Sequence, residues 1–100
     1  MAKEEMYEKT YRRLSMYRRR CVILAILVFA REEADRFWVL YLLHTIFQIP
    51  REHQDKFDHD IDNAVRSLRE DGYLFPVEPL RRGTWKITEE GKTYRQGCCV

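Results

Sequence analysis

No apolar run in this sequence is long enough to cross a bilayer. The longest, Cys21 to Ala30 (CVILAILVFA), is about half of what a crossing helix needs, and Arg31-Glu32-Glu33 ends it. A secretory pattern is missing too, since the start MAKEEMYEKTYRRL carries acidic residues and no apolar segment. The chain also has no Gly-rich phosphate loop, no zinc-type cysteine spacing, no repeat and no low-complexity segment. Cysteine is scarce: Cys21 lies inside an apolar run, and Cys98 and Cys99 are adjacent, so they pair with each other only with strain. The expectation is a chain with no membrane span and no disulfide framework, in a reducing cytoplasm. Prenylation of the end would need cysteine at position 97, which is Gly97, so residues 97–100 read as a disordered tail.

A strong charge of either sign is absent as well. The formal net charge is +2 and the pI near 8.5, a balance that says little about nucleic acid. Its distribution says more. Lys plus Arg against Asp plus Glu is seven to three in residues 1–20, three to four in 21–52, three to six in 53–72 and five to three in 73–100. Both ends are positive and the middle is negative.

Groups able to do chemistry are few. Ser15 and Ser67 stand in no recognisable motif with a histidine and an acid, and the apolar surroundings of Cys21 leave its thiol inert. His44, among Leu43, Thr45 and Ile46, reads as a hydrogen-bonded core or interface histidine. His53, Asp55, Asp58, His59 and Asp62 include metal-ligand types, with Asp55/His59 and Asp58/Asp62 spaced i, i+4. No cysteine joins them, so they read as a polar helix face. Neither an enzyme, a metal nor a cofactor is expected.

One hundred residues, 45% of them hydrophobic, suit a single core. Residues 3–20 hold no Gly or Pro and are rich in helix formers, with Tyr7, Tyr11 and Leu14 on one stripe, Tyr17 beside it, and arginines including Arg18 and Arg19 opposite. This predicts an N-terminal basic amphipathic helix over 1–20. Cys21 to Ala30 and Phe37 to Ile49 are apolar at nearly every angle. Their lengths favour helices over strands, with Asp35 placed to cap the second. Helices apolar all round must be buried all round, and a chain this short has trouble covering both, so a homodimer is expected. Tyr7, Tyr11, Leu14 and Tyr17 are its candidate interface, with packing inside one chain as the alternative. Pro50 stops the second helix or opens the next. Phe57, Ile61, Ala64, Val65 and Leu68 mark a third helix that Gly72 ends, Tyr73 to Val77 and Thr84 to Thr88 read as strands, and Thr88 caps a short last helix, EEGKTYRQ.

Helix, helix, helix, strand, Gly-tipped loop, strand and short helix is the order of a winged helix-turn-helix domain, with no strand legible between the first two helices. Ile61 to Leu74 (IDNAVRSLREDGYL) and Arg82 to Gly91 (RGTWKITEEG) resemble the N-terminal winged-helix module of Mrr-type restriction proteins, and more broadly the PadR and MarR regulators. The resemblance covers about the last 40 residues. It implies an α+β, mostly helical winged-helix domain over 21–96 with a C-terminal β-wing, lacking the catalytic domain that follows the module in Mrr-type proteins. It further implies a dimeric transcriptional regulator bound to double-stranded DNA, with the third helix in the major groove.

Asp55, Asp58, Asp60 and Asp62 in the first half of that helix would be repelled by a duplex. His59, Asn63 and Arg66 remain able to contact bases or phosphates, and Arg81, Arg82 and Lys86 on the wing with Arg18 and Arg19 on the leader are expected at phosphates. The alternative is a winged-helix module that binds protein and no DNA.

Overall fold

The structure is a computed structural model and describes residues 14–75 and 83–99. Tyr7, Tyr11, Arg81 and Arg82 lie outside the described residues, as does most of the expected leader helix. The fold is α+β and predominantly helical: α1 (Met16–Phe29), β1 (Glu33–Asp35), α2 (Arg36–Ile46), a 3-10 turn (Arg51–His53), α3 (Gln54–Glu70), β2 (Thr84–Lys86) and α4 (Glu89–Cys98).

Ser15 starts α1 by accepting a hydrogen bond from the Arg18 N–H. The helix runs unbroken through Arg20 and Cys21, so the division at residue 20 falls inside one element. Past its end, Arg31 and Glu32 both take positive φ (62° and 83°) without the freedom of glycine. Packing holds that turn: the Glu32 N–H donates to the Leu27 carbonyl and the Glu32 carbonyl accepts from the Ile87 N–H. The reversal feeds β1, a strand inside a stretch whose polarity reads as a loop. It pairs antiparallel with β2 in the register Glu33 to Lys86, Ala34 to Trp85 and Asp35 to Thr84. Ala34 and Trp85 point into the core together.

Asp35 then caps α2 as expected, accepting from the Phe37 and Trp38 N–H groups at 2.9 and 3.3 Å. The helix stops at Ile46, three residues before the expected end, where Phe47 caps it and Gln48 turns to positive φ. Pro50 opens the 3-10 turn that leads into α3. The five apolar residues of α3 are all buried, as their spacing predicts. Its end is a Schellman arrangement: Gly72, at φ 81°, donates to the Arg69 carbonyl and Tyr73 donates to the Leu68 carbonyl. Leu74 then bridges Ile87, beyond the end of β2.

Thr88 links the last elements. Its hydroxyl oxygen accepts from the Gly91 N–H at 3.0 Å while its O–H donates to the Gly72 carbonyl at 2.7 Å, tying the start of α4 to the end of α3. That double role explains why Thr88 is buried although the strand alternation places it on the outer side. Gly91 is required there, because a Cβ would come within 2.2 Å of the Tyr73 carbonyl oxygen. The core joins Ile23, Leu24 and Leu27 of α1 with Val39 and Leu43 of α2, the α3 face, Leu74, Trp85 and Ile87.

Two cysteine expectations are corrected. Helix α4 continues through Gly97 and Cys98, and Cys99 forms a disulfide with Cys21 across a Cα–Cα distance of 5.5 Å. Packing of α4 against α1 brings together two residues 78 apart in sequence, a neighbourhood that local spacing does not reveal. The pairing removes the cysteine pattern as an argument for a reducing setting. Cys98 is free and exposed. Among the described residues no helix is long and apolar enough to cross a membrane.

Candidate nucleic-acid interface

The exposed side of α3 follows from its buried side. With Phe57, Ile61, Ala64, Val65 and Leu68 inward, the 3.6-residue repeat sends His59, Asn63 and Arg66 outward on one stripe at spacings of four and three. His59 and Arg66 are exposed and Asn63 half-buried. These three candidates share a face.

The flanks of the helix hold the carboxylates, and three of them are engaged within the chain. Asp62 accepts two parallel hydrogen bonds from Arg36, Nε to Oδ1 at 2.9 Å and Nη2 to Oδ2 at 2.8 Å. Asp58 Oδ1 lies 2.6 Å from His44 Nε2, whose ring also meets Phe57 edge-on at 5.2 Å. Asp60 stands 3.9 Å from Arg19 and 3.6 Å from Lys56. The carboxylates that would repel a duplex therefore serve largely to hold α1 and α2 against α3. Asp55 is exposed. Among the described residues no group of three or more His, Cys, Asp or Glu side chains is arranged to hold a metal ion.

The leader arginines are turned to the same use. Arg19 is half-buried beside Asp60. Arg20 donates to Asp71 at 2.8 Å and lies over the rings of Tyr73 and Tyr94, which stack 4.3 Å apart. Of the described leader arginines only Arg18 is exposed, on a shallow groove of about 260 Å³ lined by Leu14, Tyr17, Cys21, Val22, Ala25, Arg95 and Cys99. Leu14 and Tyr17 of the expected dimer stripe thus border an apolar groove. Lys86 is exposed on β2, its Nζ 5.2 Å from the Phe75 ring centroid. Lys92 of α4 is held by Glu32 and Glu89, and its proton affinity is raised mainly by the hydrogen bond to Glu32.

A cleft of about 360 Å³ opens where α2, α3 and β2 meet, lined by Arg36, Asp62, Val65, Arg66, Arg69, Gly83 and Trp85. The backbone shapes it: the Arg36 N–H donates to the Gly83 carbonyl, and Gly83 takes φ 90°. Among the described residues, three guanidinium groups line it with one carboxylate. Asp62 keeps Arg36 charged, raising its pKa above the ordinary value chiefly through the hydrogen bond between them. Arg69 has no such partner: Nε and Nη2 are buried without a hydrogen bond among the described residues, and burial lowers its pKa against the weaker pull of Asp62.

Arg36 and Arg69 are absent from the candidates named on sequence alone. Arg36 reads there as part of a polar linker, and Arg69 falls between the inward and outward faces of α3. Only its i+3 spacing from Arg66 could have drawn attention to it. No family model, no curated protein and no solved structure matches this chain.

Proposed function

We propose that this chain is a small winged-helix protein that binds double-stranded DNA and works as a dimeric transcriptional regulator. The order helix, strand, helix, helix, strand, helix supports the winged-helix reading, with β1 supplying the short strand between the first two helices. In that arrangement α3 meets the major groove. One observation carries the reading: Asp58, Asp60 and Asp62 are engaged inside the chain, so the outward face of α3 keeps His59, Asn63 and Arg66 next to the arginine-lined cleft.

Asn63 suits an adenine edge and Arg66 a guanine edge or a phosphate. Arg81 and Arg82 stand two and one residues before Gly83, which borders the same cleft, and with Lys86 and Arg18 they are assigned to phosphates. Arg19, engaged by Asp60, is the weakest member of the set. A second copy covers the groove of Leu14 and Tyr17, continuing the stripe of Tyr7 and Tyr11. A second reading, a protein-binding module without DNA affinity, is favoured by the exposed aromatic side of α2, where Phe37 and Tyr41 are 72% and 71% exposed.

Duplex retention across a salt series tests the choice. Six phosphate contacts would weaken binding about 10³-fold between roughly 50 and 200 mM salt. Joint replacement of Arg66, Arg81 and Arg82 by Ala is expected to abolish measurable retention. Absence of duplex binding by the intact chain at low salt leaves the protein-binding module.

A further inference from the structure

We propose that the cleft between α2, α3 and the base of β2 is a seat for one phosphate group, held by Arg66 and Arg69 with Arg36 as the fixed wall. The proposal deepens the DNA-binding reading, on which the identity of the phosphate as a duplex phosphodiester rests. The seat itself stands on the cleft.

Its charge is unbalanced. Among the described residues, Arg36, Arg66 and Arg69 bring three positive charges to the lining and Asp62 brings the one carboxylate. Both oxygens of Asp62 are already taken by Arg36 in a two-point contact. Arg36 and Asp62 therefore neutralise each other and leave two guanidinium groups to be matched.

Arg69 is the more informative of the two. Its Nε and Nη2 have left water without gaining a partner among the described residues. A buried unpaired donor is costly, and more so when it is charged, so the guanidinium gains by turning these donors toward an anion seated in the cleft. Burial also lowers the local dielectric and lengthens the reach of the charge. Arg66, three residues earlier, is exposed at the mouth, where an incoming anion meets it first.

Phosphate fits better than a carboxylate or a metal. Guanidinium groups match tetrahedral oxyanions through paired N–H donors, and two of them bracketing one anion is a common solution for phosphate. A cation is excluded by the sign of the lining. Gly83 lines the cleft without a side chain to occupy it, and the buried Trp85 adds an apolar wall.

The test is a titration of the intact chain with Arg guanidinium Nε–H resonances as the readout. Two ligands are compared at ionic strength matched with chloride: inorganic phosphate, and a short blunt DNA duplex. The expected result is a saturable shift of the Arg69 and Arg66 signals with phosphate or with duplex, and no saturable shift with chloride. Response to both ligands makes the seat a general phosphate site, and response to duplex alone makes it a phosphodiester site. Response to inorganic phosphate from a chain that does not bind duplex keeps the seat and overturns the DNA-binding reading. Duplex binding that leaves both signals unmoved overturns the seat and keeps that reading.

Arg69→Gln supplies the second arm. It is expected to fold, since it removes an unpaired charge, and to lose the phosphate response. For duplex, affinity should fall about tenfold and the log–log salt slope should shallow by about 0.9, the signature of one lost phosphate contact. An unchanged slope overturns the proposal.

Discussion

In α3 the apolar residues Phe57, Ile61, Ala64, Val65 and Leu68 are all buried, whereas in α2 Phe37, Trp38, Tyr41 and Ile46 stay exposed beside the buried Val39, Leu40 and Leu43. Both helices spend one face on the same core. They differ in what the opposite face carries: polar and charged groups on α3, aromatic and aliphatic groups on α2. A single chain needs only one apolar face per helix to fold. The second face of α2 is surplus to folding, and the charge pairs on the flanks of α3 are surplus to its amphipathic pattern. One surplus fits association and the other fits positioning.

The largest effect that separates the two helices is expected from truncation inside α3. Phe57 is 0% exposed and reaches both the core and the His44 ring. Phe57→Ala should cost about 3–5 kcal/mol, lost transfer energy plus the cavity left behind, measured by urea denaturation. For a domain whose total stability is on the order of 5–15 kcal/mol, that takes a large share of the folded state. A loss below 1 kcal/mol would mean that α3 does not organise the core.

The Cys21–Cys99 bond comes next. It ties the end of α4 to the middle of α1 and closes a long loop, so Cys99→Ser should lower stability by about 2–4 kcal/mol. Thermal unfolding with and without a thiol reductant checks it. Wild type should drop to the variant's melting temperature when reduced, and the variant should not respond. Because α4 also rests on the Thr88 cap and Gly91, its first turns should persist without the bond, and amide exchange should report loosening confined to the residues around Tyr94 to Cys98.

How far the sequence carried the fold depends on the distance over which each feature is determined. The inward face of α3, the Gly72 termination, the Asp35 cap and the Thr88 cap are set by residues within about four positions of each other, and all are legible. β1 is not. It is three residues long, its inward member is Ala34, and its partner is β2, about 50 residues away, so the pairing and not the local pattern makes the strand. The turn before it uses two consecutive positive-φ residues with no glycine to mark it. The disulfide and the Arg36–Asp62 pair are also non-local, and the cleft is visible only once they are in place. For the candidate site, the stripe of His59, Asn63 and Arg66 was readable from spacing. Arg36 and Arg69 were not, because their roles follow from which carboxylate each one reaches. All-round apolarity of α1 and α2 was readable as composition, yet the pattern does not say which half the chain itself covers.

The smallest effect on folding is expected on the outer face of α2, and there the comparison is sharpest. Phe37→Ala removes a side chain that is 72% exposed, so the stability of the isolated chain should change by no more than about 0.5 kcal/mol. The same holds for Tyr41→Ala. If the aromatic face serves association, these replacements act on assembly instead, because aromatic anchors at the centre of an interface carry much of the binding energy. Sedimentation of wild type and of the Phe37→Ala/Tyr41→Ala double variant reads this directly: a wild-type dimer that becomes monomeric at equal concentration assigns the face to a second copy. A dimer that survives the double variant but dissociates on Tyr17→Ala assigns it to the α1 groove instead. Retention of folding in both variants is what separates either outcome from simple damage to the core, and it follows from α2 having already spent Val39, Leu40 and Leu43 on its own chain.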